Sequence, residues 1–280
     1  MKRPIFLLIA ALCSLASDGA VAQSSSERTL SVRNQDATIH VTLAGQGKAI
    51  VFIPSLGRGA EDFDDLSGRM VAAGFQSIRP QPRGIDGSSG SLNEITLRDL
   101  AGDIAAVIDS VHAGPAIVIA HAFGARVARV LVTDRPDLVS QVILLAAGSQ
   151  RATSAETWAT GLRIFDTTAS EQQRIASVSA FFAKGNDARV WAGGWYLDVA
   201  AAQRAAGQRT SEEEWWSDGR VPILALQGTD DILTLSENAR RFAATHSDRV
   251  TLVTIPNAGH AMLPEQPKAI ADSILSHLRR

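Results

Sequence analysis

The chain has 280 residues, of which 45% are hydrophobic, and its formal net charge is −2. This is enough apolar sequence for a sizeable core, and there is no basic surplus that would indicate a nucleic-acid partner. The only cysteine is Cys13, and the six histidines have no metal-binding spacing, so we expect no disulfide, no thiolate site, no metal and no cofactor.

The N-terminal segment is typical of an export signal. Lys2 and Arg3 precede a short apolar stretch that ends at Leu15, and Ala20-Val21-Ala22 then supplies small residues at a cleavage site. The apolar stretch is too short to span a bilayer. We therefore predict a signal peptide at residues 1–22 and an exported protein, periplasmic or secreted, with no membrane span after cleavage. An uncleaved N-terminal anchor is the alternative.

Short apolar runs then alternate with helical patterns. The sequence predicts seven buried strands, at residues 37–45, 49–54, 74–80, 116–120, 139–146, 221–228 and 249–256. Helical patterns cover residues 62–74, 96–114, 123–136, 236–246 and 267–280; the fourth is expected to start at a Ser236 cap and the last at Pro267. Strands that are apolar on both faces and alternate with helices indicate an α/β fold, with a mostly parallel central sheet and helices on both faces.

The alternation stops between Gly148 and about Arg220, where three helical patterns cover residues 154–166, 170–185 and 187–207. Ser170 and Gln173 form a capping-box signature. This segment contains the single tyrosine, Tyr196, and all five tryptophans, Trp158, Trp191, Trp195, Trp215 and Trp216. Trp191 and Trp195 are four residues apart and are expected to share a helix face. The aromatic residues either form the segment's own core or line the roof of a site for an apolar or planar ligand.

Four loops follow predicted strands, where parallel sheets bind their ligands. Their sequences are PSLGRG (54–59), HAFG (121–124), TDDILT (229–234) and NAGHAM (257–262). This order of loop, elbow, acid and histidine resembles the α/β-hydrolase family, in particular its esterase-like and epoxide-hydrolase-like members with a cap. The resemblance implies a hydrolase core at residues 23–147 and 218–280 and a helical cap at 148–217, the position after the family's sixth strand at which its members carry their cap.

The elbow between strand and helix departs from the family pattern at its central position. In the family, small residues stand two positions before and two after a nucleophile on a strained turn, and Ala120 and Gly124 match them. The nucleophile position itself is occupied by Ala122, which has no side-chain oxygen. A covalent acyl-enzyme or alkyl-enzyme cannot form at this residue.

The resemblance assigns roles to two further residues. His260, in a G-H-x-x-x-x-E-x-P pattern, corresponds to the general base, and Asp231 corresponds to the acid that orients it. Asp231 is favoured over Asp230 because it stands three residues after the glycine that ends the preceding strand, Gly228.

The first loop and the elbow supply the remaining candidates. The backbone N–H groups of Leu56 and Phe123 correspond by position to an oxyanion hole. Ser55 could contact a substrate, or its hydroxyl could bond its own backbone, which is the commoner role. Arg58 could bind an anionic group at the cavity mouth, although a solvated loop arginine is the commoner role for such a residue. Trp191 and Trp195 are candidates for substrate binding.

The resemblance implies a hydrolase that acts on a small, apolar or aromatic, ester-like substrate through a His-Asp dyad and a backbone oxyanion hole. The absence of a serine leaves alternatives open. One is a non-hydrolytic acid–base enzyme, such as a lyase or a cofactor-free oxygenase. The others are an inactive binding protein with the hydrolase shape and an engineered Ser-to-Ala variant of a serine hydrolase. In each case the partner is a small molecule, and the sequence indicates no oligomeric state.

Overall fold

The computed structural model describes residues 27–147, 154–211, 213 and 219–279. The predicted signal peptide lies outside these residues, as do Trp215, Trp216 and the side chain of Trp158. Within the described ranges, no helix has the length and apolar character needed to cross a bilayer.

The described strands form one eight-stranded sheet in the order β1-β2-β4-β3-β5-β6-β7-β8. Strands β3 to β8 run parallel, whereas β2 is antiparallel to both β1 and β4. The mostly parallel sheet predicted from the sequence is therefore confirmed. The strands are β1 (Arg28–Asn34), β2 (Ala37–Ala44), β3 (Ala49–Ile53), β4 (Gln76–Pro80), β5 (Ala116–His121), β6 (Val139–Leu145), β7 (Ile223–Gly228) and β8 (Val250–Ile255).

Helices cover both faces of this sheet. Successive residues of β5 point to opposite faces: Ile117 and Ile119 pack in one apolar cluster and Val118 and Ala120 in the other. The first cluster contains the apolar sides of α1 and α9, and the second those of α2 and α3. The described helices are α1 (Asp64–Ala72), α2 (Leu97–Ser110), α3 (Gly124–Asp134), α4 (Ala155–Leu162), α5 (Glu171–Ser177), α6 (Leu197–Arg209), α7 (Ser236–Thr245), α8 (Met262–Glu265) and α9 (Pro267–Leu278).

Strand β1 is a feature that the sequence pattern does not predict. It pairs antiparallel with β2 at the edge of the sheet, and Val32 is its one buried residue. An edge strand with so little buried surface lacks the apolar alternation by which strands are recognised in a sequence.

Helix boundaries are confirmed at Pro267, the first residue of α9, but not at Ser236. The predicted serine cap is wrong: Ser236 is the first residue of α7, and its hydroxyl donates to the carbonyl oxygen of Gly228 (3.0 Å). The hydroxyl therefore joins the helix to the end of β7 instead of capping it.

Helices α4, α5 and α6 lie in the insertion between β6 and β7, which is called the cap segment below. The capping box is confirmed, since Ser170 and Gln173 each bond the other's backbone N–H with a side-chain oxygen. The continuous helix predicted over 187–207 is wrong, and so is the shared helix face of Trp191 and Trp195. A 3-10 turn ends at Trp191, Gly194 has φ +75°, and α6 begins only at Leu197. Left-handed backbone at the glycine interrupts the helix.

Candidate active site

The turn between β5 and α3 holds Ala122 in a strained backbone conformation. Its φ is +47°, a left-handed value that costs a non-glycine residue about 1 kcal/mol or more. Helix α3 starts two residues later at Gly124, where a Cβ atom would lie 2.5 Å from the carbonyl oxygen of Ile53 and 2.6 Å from that of Pro54. The tight turn expected between Ala120 and Gly124 is therefore present, and only glycine fits at its end.

His260 and Asp231 approach each other from the loops that follow β8 and β7. His260 Nδ1 lies 3.0 Å from Asp231 Oδ2, and the Asp231 side chain is completely buried. Asp230, the other aspartate of this loop, is exposed and accepts a hydrogen bond from the Thr229 hydroxyl (2.6 Å). The structure thus pairs the histidine with the aspartate that the sequence favours.

Several donors fix the Asp231 carboxylate. Oδ1 accepts the backbone N–H groups of Leu233 and Thr234, both at 2.8 Å, and Oδ2 accepts the Thr234 hydroxyl and Gln227 Nε2. Burial of Asp231 opposes its ionisation, but the charge and hydrogen bond of His260 and the bonds from Thr234 outweigh it. The pKa of Asp231 therefore lies below its usual value. Such a carboxylate orients the imidazole and stabilises its charged form.

His260 and Ala122 line the same cavity, whose volume is about 490 Å³. Because Asp231 holds Nδ1 of His260, Nε2 is the ring nitrogen that remains for chemistry, and no described residue forms a hydrogen bond with it. In the described ranges, no group of three His, Asp, Glu or Cys side chains is arranged to bind a metal.

The predicted oxyanion donors also lie at this cavity. Leu56 and Phe123 both line it, and no oxygen of the described residues accepts a hydrogen bond from either backbone N–H. Ser55 lines the cavity as well, and its carbonyl oxygen accepts the N–H of Arg58 (3.2 Å). Within the described residues, the Ser55 hydroxyl does not form the predicted hydrogen bond to its own backbone. The hydroxyl therefore remains at the surface of the cavity.

Arg58 is neither a residue of the cavity mouth nor a solvated side chain, so both of its expected roles are wrong. It is buried, pairs with Asp62, and donates Nη1 to the carbonyl oxygen of Gly193 (2.6 Å). Its guanidinium carbon lies 4.7 Å from the ring centroids of both Trp191 and Trp195. A cation between two indole faces and beside a buried carboxylate connects the first loop to the cap segment.

Aromatic side chains from the cap segment form one wall of the cavity. Trp191 and Trp195 both line it, together with Phe165 and Phe181. The two indoles meet edge to face at 5.7 Å, and Trp195 Nε1 donates to the backbone carbonyl of Trp191 (2.7 Å). The two tryptophans therefore face the cavity, although they do so from a broken helix. This wall suits an apolar or planar ligand.

His121 is a site residue to which the sequence analysis gives no role. It is fully buried at the end of β5, and its Nε2 lies 2.8 Å from the backbone carbonyl oxygen of His260, so Nε2 carries the proton and donates it. Burial, followed by the charge of His260, lowers the pKa of His121 to about 3. The sequence does contain a signal for His121, because it stands directly before Ala122, the nucleophile position. Its neutral ring joins the elbow to the loop of His260.

Glu265 is the second residue without a predicted role, although it is the glutamate of the G-H-x-x-x-x-E-x-P pattern. Its Oε2 accepts the N–H of Gly259 (2.7 Å), next to His260, and its Oε1 accepts Ala183 N–H (2.6 Å) and Asn186 Nδ2 (2.7 Å). Burial raises the pKa of this carboxyl above its usual value. The glutamate therefore joins the histidine loop to the cap segment.

A model of the alpha/beta hydrolase family matches residues 50–273. The chain belongs to the alpha/beta hydrolase family. Among curated relatives, the "Putative non-heme bromoperoxidase BpoC" of Mycobacterium tuberculosis is 25% identical over an alignment of 251 residues that covers 82% of this chain and 94% of that protein. Its solved structure covers 89% of this chain and 96% of its own, with a TM-score of 0.74 and 22% identity.

An esterase of the same fold, EaEST from Exiguobacterium antarcticum, gives a TM-score of 0.75 at 17% identity, covering 89% of this chain and 99% of that one. These structural likenesses confirm the α/β-hydrolase fold. Membership of the α/β-hydrolase family also implies a small-molecule substrate.

Proposed function

We propose that this α/β-hydrolase-family protein hydrolyses small esters with an apolar or aromatic part, and that a water molecule takes the role of the missing serine oxygen. One observation carries the proposal: His260, held by the buried Asp231, lines the same cavity as the strained Ala122 turn. A strained turn and a buried, hydrogen-bonded base each cost free energy of folding, and a pocket that only binds a ligand requires neither.

The reaction needs one proton acceptor and one oxyanion site. His260 Nε2 takes a proton from water as the water oxygen attacks the ester carbonyl carbon. The N–H groups of Leu56 and Phe123 hold the oxyanion of the tetrahedral intermediate. The imidazolium, stabilised by Asp231, then protonates the departing alcohol oxygen as the carbon–oxygen bond breaks. The products are an acid and an alcohol, and no covalent enzyme intermediate forms.

The expected rate is modest. Serine hydrolases that lose the nucleophile keep about 10³–10⁴-fold acceleration over water, which comes from binding and the oxyanion hole. A general base placed for water adds about 10²–10⁴-fold. Slow turnover is therefore the expected outcome.

The test is a panel of aryl and alkyl esters with wild type and paired variants. His260→Ala should reduce turnover by about 10²–10⁴-fold, the share that the general base supplies, and Asp231→Asn should reduce it about 10²-fold or more because the base loses its orienting carboxylate. Asp230→Asn, a change of the exposed neighbour, should leave it unchanged. Turnover in His260→Ala at the wild-type rate would contradict the proposal.

A serine-directed phosphonate identifies the nucleophile. Wild type should give no covalent adduct at residue 122, whereas Ala122→Ser should give one if the elbow and base are arranged as proposed. An adduct on Ser55 of the wild type would assign the attack to that hydroxyl and contradict the water route.

The absence of an oxygen at Ala122 also favours a second candidate, acid–base chemistry without hydrolysis. In that case His260 removes a proton from a bound substrate, and the oxyanion donors stabilise the enolate. His260-dependent exchange of a substrate C–H proton with solvent deuterium, without ester cleavage, would favour this candidate over the hydrolase.

A further inference from the structure

The cavity wall formed by α3 and α6 is cationic. Arg126 and Arg129 of α3 line it, as do Arg204 and Gln208 of α6. No aspartate or glutamate among the described residues lines the cavity. The proposed ester chemistry at His260 does not use these arginines, so their presence needs a separate explanation.

Arg204 has the geometry of an anion-binding side chain. It is partly buried, and its guanidinium carbon lies 5.4 Å from the ring centroid of Phe165. Stacking uses the face of the guanidinium, so the N–H groups, which lie in its plane, remain directed outward from its edge. Within the described part of the chain, Arg204 forms no ion pair with a carboxylate. Its N–H edge is therefore suited to a ligand carboxylate.

Two further arginines lie on the same wall. Arg129 is buried, with its guanidinium carbon 5.0 Å from the ring centroid of Phe242, and Arg126 packs beside Gly207 of α6. A cavity with apolar walls screens charge less than water does, so a cationic wall attracts an anion more strongly there than on an open surface.

We propose that the substrate carries a free carboxylate besides the group that reacts at His260, and that Arg204 binds this carboxylate. The substrate class is then a small apolar or aromatic ester with a carboxylate at its other end. The aromatic wall holds the apolar body, and the arginine wall selects the charge. This inference rests on the proposed function for the location of the reacting group, but the charge selection is a binding property and is measured without turnover.

The test compares two ligands of the same shape that differ in charge, 4-phenylbutyrate and 4-phenylbutyramide, by isothermal titration calorimetry. Wild type should bind the carboxylate about tenfold or more tightly than the amide, as expected for one charge-assisted interaction. Arg204→Met should remove this preference and leave the affinity for the amide within about twofold of wild type.

A matched control separates local recognition from net charge. Arg209→Met removes the same charge from the same helix at an exposed residue that does not line the cavity, and the preference should persist. Equal binding of the two ligands by wild type, absence of binding by both, or an unchanged preference in Arg204→Met would overturn the inference. A preference for the carboxylate over the amide without any ester turnover would support this inference and contradict the proposed hydrolysis.

Discussion

At the level of single residues, His121 makes the free energy of unfolding sensitive to acid. Its imidazole is fully buried and has a pKa of about 3, compared with an ordinary value of 6.5. Below pH 6.5 the unfolded chain binds a proton at this residue that the folded state excludes. The free energy of unfolding therefore falls as the pH falls through the interval from 6.5 to about 3.

His121→Gln should weaken this pH dependence. The glutamine amide can still donate to the carbonyl oxygen of His260 but does not titrate. Between pH 6 and pH 4 the wild-type free energy of unfolding should have an additional slope of up to about 1.4 kcal/mol per pH unit. Urea unfolding at several pH values measures both slopes, and identical slopes in the two proteins would contradict the assignment.

At the level of structural elements, the first loop is attached to the cap segment by contacts that the loop sequence alone does not reveal. Arg58 lies between Trp191 and Trp195 and pairs with Asp62. The N–H of Gly57 donates to Gln203 Oε1 (2.8 Å). The loop that carries Leu56, the proposed oxyanion donor, is therefore held by residues of α6 and of the aromatic wall.

Removal of the Arg58 charge should destabilise the protein mainly through Asp62. Arg58→Met should lower the free energy of unfolding by about 3 kcal/mol or more, because a buried carboxylate loses its partner. The double variant with Asp62→Asn should recover part of this loss. Chemical denaturation measures both values, and a double variant less stable than the single one would show that the carboxylate is not the cause.

At the level of the whole molecule, cap segment and core should unfold together, and the tryptophans allow a direct test. All five lie between residues 158 and 216, so their fluorescence reports the cap segment, while far-UV circular dichroism reports mainly the sheet and its helices. Because Arg58, Gln203 and Glu265 join the two parts, the two signals of wild type should change at the same denaturant concentration.

Glu265→Gln should separate the two transitions. Glutamine keeps one side-chain oxygen, but its amide nitrogen cannot accept a hydrogen bond, so either the Ala183 N–H or the Gly259 N–H loses its acceptor. A lost bond to a charged group costs about 1.5–3 kcal/mol. The fluorescence midpoint should move to lower denaturant, away from the circular dichroism midpoint. Glu237→Gln, at an exposed glutamate of α7, should leave the two midpoints together.

The order of elements follows from the sequence because buried strands and helical patterns are local signals. The pairing of His260 with Asp231 is implied by the family resemblance, which rests on short motifs such as the glycine at 124 and the histidine loop. The edge strand β1 does not, because it is recognised by its pairing with β2 and not by its own burial. The contacts of Arg58 and His121 involve residues more than a hundred positions away, and no local pattern contains them. The interruption between Trp191 and Trp195 falls at Gly194, whose φ is +75°.

The attachment of the first loop to the cap has a consequence for how the site opens. The Tyr196 N–H donates to the carbonyl oxygen of Gly57 (2.9 Å), so both backbone groups of this glycine, the neighbour of Leu56, bond to the cap segment. A cap that lifts to admit a ligand must break these bonds and release the loop. We therefore expect ligand access and the present arrangement of the proposed oxyanion donors to belong to two different states of the protein, with ligand binding shifting the population between them.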